Sequence, residues 1–600
     1  MLDITLLPDV LDRAARRTGI ALPFAVEAVP GEGLAVDWDG GPARIAAEDT
    51  AALTRGVFRL TRAVREGSGS LHLRERRHFA HCGAMLDMSR NGVMTVPALK
   101  DWIDRQALLG LNLLMLYTED TYEVPGYPYF GYLRGRYTQA ELRELDDYAA
   151  RTGVELVPCV QTLGHLKQFL QWPSSAGLRD QPDILLIDSE PTYDFLDAAL
   201  RSLRSCFRTD RIHIGMDEAH GVGLGVYLLR HGYTDRFALL NRHLARVSAL
   251  CEKYGFRPMM WSDMFFRLGS ARNEYYDEDI HVPDSVIAAI PPVEQVYWDY
   301  YHKHAETYER MLAEHSRMNR GTVFAGGVWS WSGFLPNRER TLRTMEPALR
   351  VNARRDTDTV LATFWGDDGA ETDYHMALER LPLFSEACWA GPDFDTEDCD
   401  RAADCLTGLP RSFRQLYGRF YADDFEAWTG KKLMWCDPLY PCGEAAGTLQ
   451  TLRAAAEEAR AAIDRLPEIA DRTEVRYTRC VFDTLAQKTA LLLALRPAYE
   501  AGSRGELRAL TEGAIPALAE AYSRQAEAHR ALWESRRKRQ GWEVLALRYG
   551  GAVGRLHDAA DELSRYLRGE LPGLQELDEP ALPDGKGFVY DRSSTPSAKT

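Results

Sequence analysis

Two adjacent acids, Asp217 and Glu218, end the apolar run "RIHIGM" and are followed by His220 and a glycine-rich turn. Neighbouring carboxylates at the end of a buried strand have an ordinary explanation: strands finish at the surface, and acids cap the helix that follows. They also have a chemical one. If one carboxyl holds a proton while the other stays ionised, the pair can protonate a leaving group and balance a developing positive charge. What the chain brings to the same place decides between the two.

From residue 80 to about 390 the sequence alternates strands with amphipathic helices. The predicted strands are 83–89, 111–118, 154–161, 211–216, 257–262, 293–299, 321–330 and 359–366. Segments such as "VPALKDWIDRQALLG" and "TQAELRELDDYAAR" have the helical period between them. Continuous apolar strands alternating with helices imply a parallel sheet covered on both faces, and eight such units imply a (β/α)8 barrel. No GxGxxG follows the first strand, which removes the usual dinucleotide alternative.

In such a barrel every strand's carboxyl end faces one mouth. The first strand then delivers Asp87 and Arg90, the second Glu119 and Asp120, and the third leads to His165. The fourth delivers Asp217 and Glu218, and the fifth Trp261 and Asp263. The sixth gives Tyr297, Trp298 and Asp299; the seventh Trp329 and Trp331; the eighth Trp365, Asp367 and Asp368. Aromatic rings offer flat apolar faces to a pyranose, and carboxylates with an arginine suit its hydroxyls. Tryptophans at several strand ends are hard to assign to packing, because barrel cores are filled by branched aliphatics. The inventory points to sugar chemistry, and helix capping alone no longer explains the acid pair.

These residues also resemble a known family, the family 20 glycoside hydrolases, which are exo-acting β-N-acetylhexosaminidases. "HIGMDEAH" resembles the family's strand-four motif, with Met216 where a second glycine is usual. "MLDMSRN", "LYTED" and "TLGHLKQF" resemble its first three strand ends, and "MMWSDMF", "VYWD" and "FWGDD" later ones. The resemblance implies hydrolysis of terminal non-reducing β-linked N-acetylhexosamine, with N-acetylglucosamine and N-acetylgalactosamine both open. The implied course is retaining and substrate-assisted, through an oxazolinium ion and without cofactor or metal. Glu218 would be the general acid and base, its pKa raised by apolar neighbours and by Asp217. Asp217 would orient the acetamido group, and Tyr297 would hydrogen-bond the acetamido oxygen. Arg90, Asp120, His165, Asp299 and Asp367 would bind the sugar, and Trp261, Trp329, Trp331 and Trp365 would wall the pocket, in a combination the sequence does not rank. Adjacent carboxylates fit this scheme, since they do not easily straddle a glycosidic bond as a separate acid and nucleophile at about 5–5.5 Å must.

The chain departs from the family pattern at Gln161, where many relatives carry an aspartate that relays to the acid through the pocket histidine. A glutamine can fix the tautomer of His165 but cannot stabilise its cation. Two rival readings remain. A metal-dependent barrel hydrolase would use His165, His213 and His220, but "LDMSR" lacks the His-x-His expected on the first strand. A non-catalytic glycan-binding protein on the same barrel would have no need of a general acid.

The flanking regions read differently. Residues 1–76 form a small α/β unit, with "GLAVDWDG" and "PARIAAED" as paired strands. The barrel is expected over 77–390, an α-helical region over 391–584, and a mobile tail over 585–600. The helical region resembles the extra domain of one bacterial branch of the family and is compatible with a homodimer. A net charge of −16 argues against a general nucleic-acid or anionic-membrane partner. No eighteen apolar residues run together, and "MLDITLLPDVLDRAARR" lacks a leader pattern. The ten cysteines contain no CxxC pair, and Cys82, Cys159, Cys206 and Cys251 sit in apolar contexts, which suits reduced thiols and a cytoplasmic location.

Overall fold

The computed structural model describes residues 2–270, 272, 274–276, 279–318, 322–355, 357–422, 427–440, 445–580 and 590–594. Near the N-terminus, β1 (Val26–Pro30), β2 (Leu34–Trp38), β3 (Ala43–Ala47) and β4 (Leu71–Glu75) form one sheet in the order β1-β3-β2-β4. The pairing of β2 with β3 is the antiparallel hairpin expected around the Gly-Gly turn. The helix Thr50–Arg65 covers this sheet. Gly56 makes the close approach, since a Cβ there would stand 2.8 Å from an Ile45 methyl.

Eight strands then close a parallel barrel: β5 (His81–Asp87), β6 (Leu113–Tyr117), β7 (Glu155–Cys159), β10 (Arg211–His213), β11 (Arg257–Trp261), β12 (Glu294–Asp299), β13 (Val323–Gly327) and β14 (Thr359–Phe364). A two-stranded ribbon, β8 (Arg179–Gln181) with β9 (Ile184–Leu185), lies in the loop between β7 and β10. The barrel closes where β14 pairs with β5 from Thr359↔His81 to Phe364↔Leu86. Every barrel strand read from the sequence is present. Their apolar runs are buried on both faces, as a sheet between helices and a packed interior requires. The fourth is much shorter than expected, because Gly215 and Met216 turn out of the strand with φ of 71° and 72°.

Beyond residue 390 the described elements are helical. Long helices run over Ala446–Ile463, Thr473–Glu500, Ile515–Arg536 and Trp542–Arg568 around a second apolar core. All four lie within the span 391–584 expected to be helical. The expected tail falls outside the described residues except for the short helix Tyr590–Ser594. Cys82, Cys159, Cys206 and Cys251 are buried and free, whereas Cys436 is disulfide-bonded. Among the described residues no helix is long and apolar enough to cross a membrane.

Candidate active site

A pocket at the carboxyl ends of the barrel strands is lined by Arg90, His165, Asp217, Glu218, Trp261, Trp298, Tyr300, Tyr301, Trp331, Trp365 and Asp367. The turn that presents the acid pair is strained. Gly215, Met216 and Glu218 (φ 50°) all lie in the left-handed region, which costs a non-glycine residue about 1–3 kcal/mol. Gly215 is obligatory here, since a Cβ would stand 2.2 Å from Gln161 Oε1. Gln161 holds this turn from β7's side: its Oε1 accepts from Met216 N–H (3.2 Å), and its Nε2 donates to Asp217 Oδ1 (2.7 Å) and to the Tyr117 hydroxyl oxygen (2.9 Å). From β11's side, Asp263 Oδ2 accepts the Glu218 N–H (3.1 Å).

His165 sits between the two acids, with Nε2 3.2 Å from Asp217 Oδ2 and 3.4 Å from Glu218 Oε2. Burial works against its cation, but Asp217 and then Glu218 outweigh it and hold the imidazole well above its ordinary pKa. Burial likewise pushes Asp217 upward, yet His165 and Gln161 bring it down to about 2. Glu218 is also held below its ordinary value: burial would raise it, but His165 and the Tyr275 hydroxyl, which donates to Oε1 at 2.7 Å, prevail. Two expectations are thereby corrected. The Glu218 carboxyl at rest is lowered, not raised, because a cationic histidine stands against it. Gln161 binds Asp217 rather than His165, and the acids themselves stabilise the histidine's charge.

The opposite wall belongs to Arg90 and Asp367. Arg90 lies 3.3 Å from Asp87, 3.5 Å from Glu119 and 3.6 Å from Asp367, with its guanidinium over the rings of Tyr117 and Trp365. Burial lifts the Asp367 carboxyl to about 6 against the pull of Arg90, although 41% of its side chain is open to solvent. The indole N–H of Trp261 is buried without a hydrogen-bond partner, the state in which a donor is available to a ligand.

Four expected residues do not line the pocket. Side chains alternate along a strand, and Tyr297 and Asp299 take the face turned toward the helices. The Tyr297 ring stacks on His315 at 4.8 Å, and its hydroxyl donates to Asp299 Oδ2 at 2.6 Å. Trp298 and Tyr300, on the other parity, enter the pocket instead. Trp329 stacks behind Trp331 at 4.4 Å and donates its indole N–H to the Tyr300 carbonyl (3.0 Å). Asp120 is buried under its loop, accepting from Arg134 Nε (2.9 Å), while Glu119 turns toward Arg90 with φ 38°. Tyr300 and Tyr301 were missed; the two-residue period from Trp298 points to Tyr300, whereas Tyr301 follows the strand's end and only the doubled tyrosine after "YWD" marks it. Tyr275 sits in an irregular loop after β11 and carries no such signal.

The histidines of the metal reading do not converge on one point. His213 is buried beside Trp261, its Nδ1 accepts from Gly215 N–H (3.1 Å), and burial pushes it down to about 3. Among the described residues, no three His, Cys, Asp or Glu side chains form a group suited to a metal ion.

Two family models match the chain: "Glycosyl hydrolase family 20, catalytic domain" over residues 79–282, and "Glycoside Hydrolase 20C C-terminal domain" over residues 430–592. Similar characterised proteins include beta-hexosaminidase 3 of Arabidopsis thaliana, 24% identical over 214 residues, which are 32% of this chain and 39% of that protein. A beta-hexosaminidase of Vibrio furnissii is 30% identical over 147 residues, 22% of this chain and 24% of that one. Human hexosaminidase D is 26% identical over 209 residues, 32% of this chain and 39% of its own. The chain thus spans less than two fifths of the length of these relatives. A crystal structure of a family 20 exo-β-N-acetylglucosaminidase from Vibrio harveyi, in complex with N-acetylglucosamine, shares the fold with a TM-score of 0.50 and 16% identity over 68% of this chain and 73% of that one.

Proposed function

The chain belongs to family 20 of the glycosyl hydrolases, and from that premise we propose that it removes terminal non-reducing β-linked N-acetylhexosamine from a glycan by substrate-assisted catalysis. The observation that carries the reading is the trio His165, Asp217 and Glu218 at one wall of an aromatic pocket whose other wall is Arg90 and Asp367. A binding protein would have no use for an acid on a strained turn between a histidine and a second acid. On this reading the catalytic barrel spans 77–390, between the small unit at 1–76 and a helical domain at 391–584.

The acetamido oxygen of the substrate attacks C1, the C1–O bond to the leaving group breaks, and Glu218 passes to the departing oxygen a proton drawn from the His165 cation 3.4 Å away. Asp217, ionised, accepts from the acetamido N–H and balances the charge of the oxazolinium ion. Glu218 then takes a proton from water as that water opens the ring at C1, so the configuration is retained. His165 holds both carboxylates, which favours the ionised state Asp217 needs. With Tyr297 turned away, Tyr300 is the residue we assign to hydrogen-bond the acetamido oxygen. Trp261, Trp298, Trp331 and Trp365 are assigned to the acetamido methyl and the ring face, and Arg90 with Asp367 to the hydroxyls of the far edge.

A chromogenic β-N-acetylglucosaminide assay tests the reading, run beside the N-acetylgalactosaminide and the β-glucoside that lacks the acetamido group. Turnover is expected only where the acetamido group is present. Binding without turnover would favour the glycan-binding alternative, and equal rates on the plain glucoside would reject substrate assistance.

A further inference from the structure

The loop after β14 carries Asp367, and its backbone stays in the left-handed region for three residues: Asp368 (φ 60°), Gly369 (φ 123°) and Ala370 (φ 56°). Only glycine enters that region freely, so two of the three need an outside constraint. Basic side chains of the helical region supply it. Arg548 donates to the Asp368 carbonyl and to Glu371 Oε1 (3.0 Å). Arg537 donates to the carbonyls of Ala370 (2.5 Å) and Thr372 (2.6 Å). Lys431 donates to the Asp367 carbonyl (3.3 Å) and lies 2.8 Å from Glu371. The Arg537 bonds are buried, with Arg537 4% exposed, whereas the Arg548 bond to the Asp368 carbonyl lies at the surface. Hydrogen bonds from a charged donor are stronger than neutral ones, and water competes poorly for the buried pair from Arg537.

The same stretch also reaches the loop that carries Arg90. Lys538 N–H donates to the Val93 carbonyl (2.8 Å), and Thr95 N–H donates to the Arg536 carbonyl (2.9 Å). Gly541 lies so near that a Cβ would stand 2.2 Å from the Asn91 carbonyl oxygen. The two halves of the pocket's far wall, 3.6 Å apart at Arg90 and Asp367, are therefore both backed by the turn between Ile515–Arg536 and Trp542–Arg568.

We propose that Arg537, Arg548 and Lys431 are positioning residues that hold loop 366–372 in the conformation that sets Asp367 beside Arg90, and so govern how tightly the far edge of the sugar is bound. None of the three lines the pocket; they act through the backbone that carries Asp367. The kinetic consequence rests on the hexosaminidase reading, whereas the clamp itself does not.

The test uses the full chain and the variant Arg548→Gln, with Arg537→Gln as the second, more deeply buried anchor. Hydrogen exchange over residues 366–373, without substrate, should speed up in Arg548→Gln while residues 211–218 exchange as before; unchanged exchange over 366–373 rejects the clamp whatever the enzyme's activity. In kinetics on an aryl N-acetylglucosaminide, Arg548→Gln should raise KM roughly tenfold with kcat changed less than about threefold, the signature of a displaced binding group rather than lost chemistry. Arg548→Lys, which retains a donor, should recover part of the loss. In an Asp367→Asn background the Arg548→Gln penalty should vanish, because both act on one contact. Arg555→Gln on the same helix, whose partner is Asp437, should leave KM unchanged. A wild-type KM in Arg548→Gln, or a penalty that persists in full without Asp367, overturns the proposal. If the wild-type chain cleaves no N-acetylhexosaminide, the functional reading fails and the exchange result alone judges the clamp.

Discussion

The two walls of the pocket are built by different means. At the acid wall, Gln161, His165, Asp217, Glu218 and Asp263 follow the neighbouring strands β7, β10 and β11 and fix one another over 2.7–3.4 Å. At the far wall, Arg90 and Asp367 follow β5 and β14 at the closure of the barrel, and their loops are held from outside by Arg537, Arg548 and Lys431. Both walls contain left-handed backbone at non-glycine residues, so both store strain. The acid wall meets that strain with Gln161 and Asp263, which bond the turn's backbone beside the proposed acid pair. The far wall meets it with side chains that never touch the pocket. On the proposed reading, substitution of the helices would retune binding without disturbing proton transfer, while nearly any change near β10 would disturb the proposed chemistry.

The largest expected effect lies at the acid wall. Glu218→Gln should lower kcat by about two to four orders of magnitude, with a smaller loss on aryl glycosides whose leaving groups need little protonation. Equal loss on all leaving groups in the first chemical step would contradict the acid role. Asp217→Asn should lower kcat by about two to three orders of magnitude. Affinity for a thiazoline mimic of the oxazolinium ion should suffer more than affinity for the product sugar. A fluorosugar that traps glycosyl esters should leave no adduct on either acid by mass spectrometry.

Next comes the choice of tyrosine. Tyr300→Phe should reduce kcat roughly tenfold through one lost hydrogen bond, while Tyr297→Phe, which breaks the bond to Asp299 behind the barrel, should act mainly on thermal stability. The reverse order would restore Tyr297 to the pocket. The smallest effects are in pH. His165⁺ holds Glu218 low, so in the pH profile of His165→Gln the Glu218 carboxyl should titrate at higher pH than in the unmodified chain. At the far wall, Asp367 takes up a proton as pH falls through about 6. The acid side of that profile should therefore show a rise in KM that disappears in Asp367→Asn. A KM that is flat from pH 5 to 7 in the unmodified chain would remove Asp367 from the grip.

All eight barrel strands were legible because buried parallel strands are apolar throughout, and that signal survives without tertiary information. The acid pair was legible for a related reason: "GMDE" interrupts such a run abruptly. Failures came where a strand end must choose a face. "YWDYY" places aromatics on both parities, and only the packing of Tyr297 on His315 shows which parity faces the helices. Glu119 and Asp120 differ by one backbone turn at φ 38°, which composition does not encode. The lowered pKa of Glu218 was beyond reach because it depends on a 3.4 Å contact with a histidine 53 positions away. Of the clamp's arginines, Arg537 lies in "ESRRKRQ", which has the composition of a solvated turn.

The seam between β14 and β5 also orders events during synthesis. Gly366 N–H donates to Asp87 Oδ2 (3.0 Å) across 279 residues of chain, one of the longest-range contacts of the pocket. A ribosome therefore releases Arg90 well before Asp367, and Asp367 well before the arginines that steady its loop. Contacts so distant in sequence form slowly, because the intervening chain must be ordered first. The acid wall, drawn from residues 161–263, can assemble while the far wall does not yet exist. A nascent or truncated chain would then carry its acid and base in an open cleft without a grip on sugar, and hydrolytic competence would arrive only with the last helices.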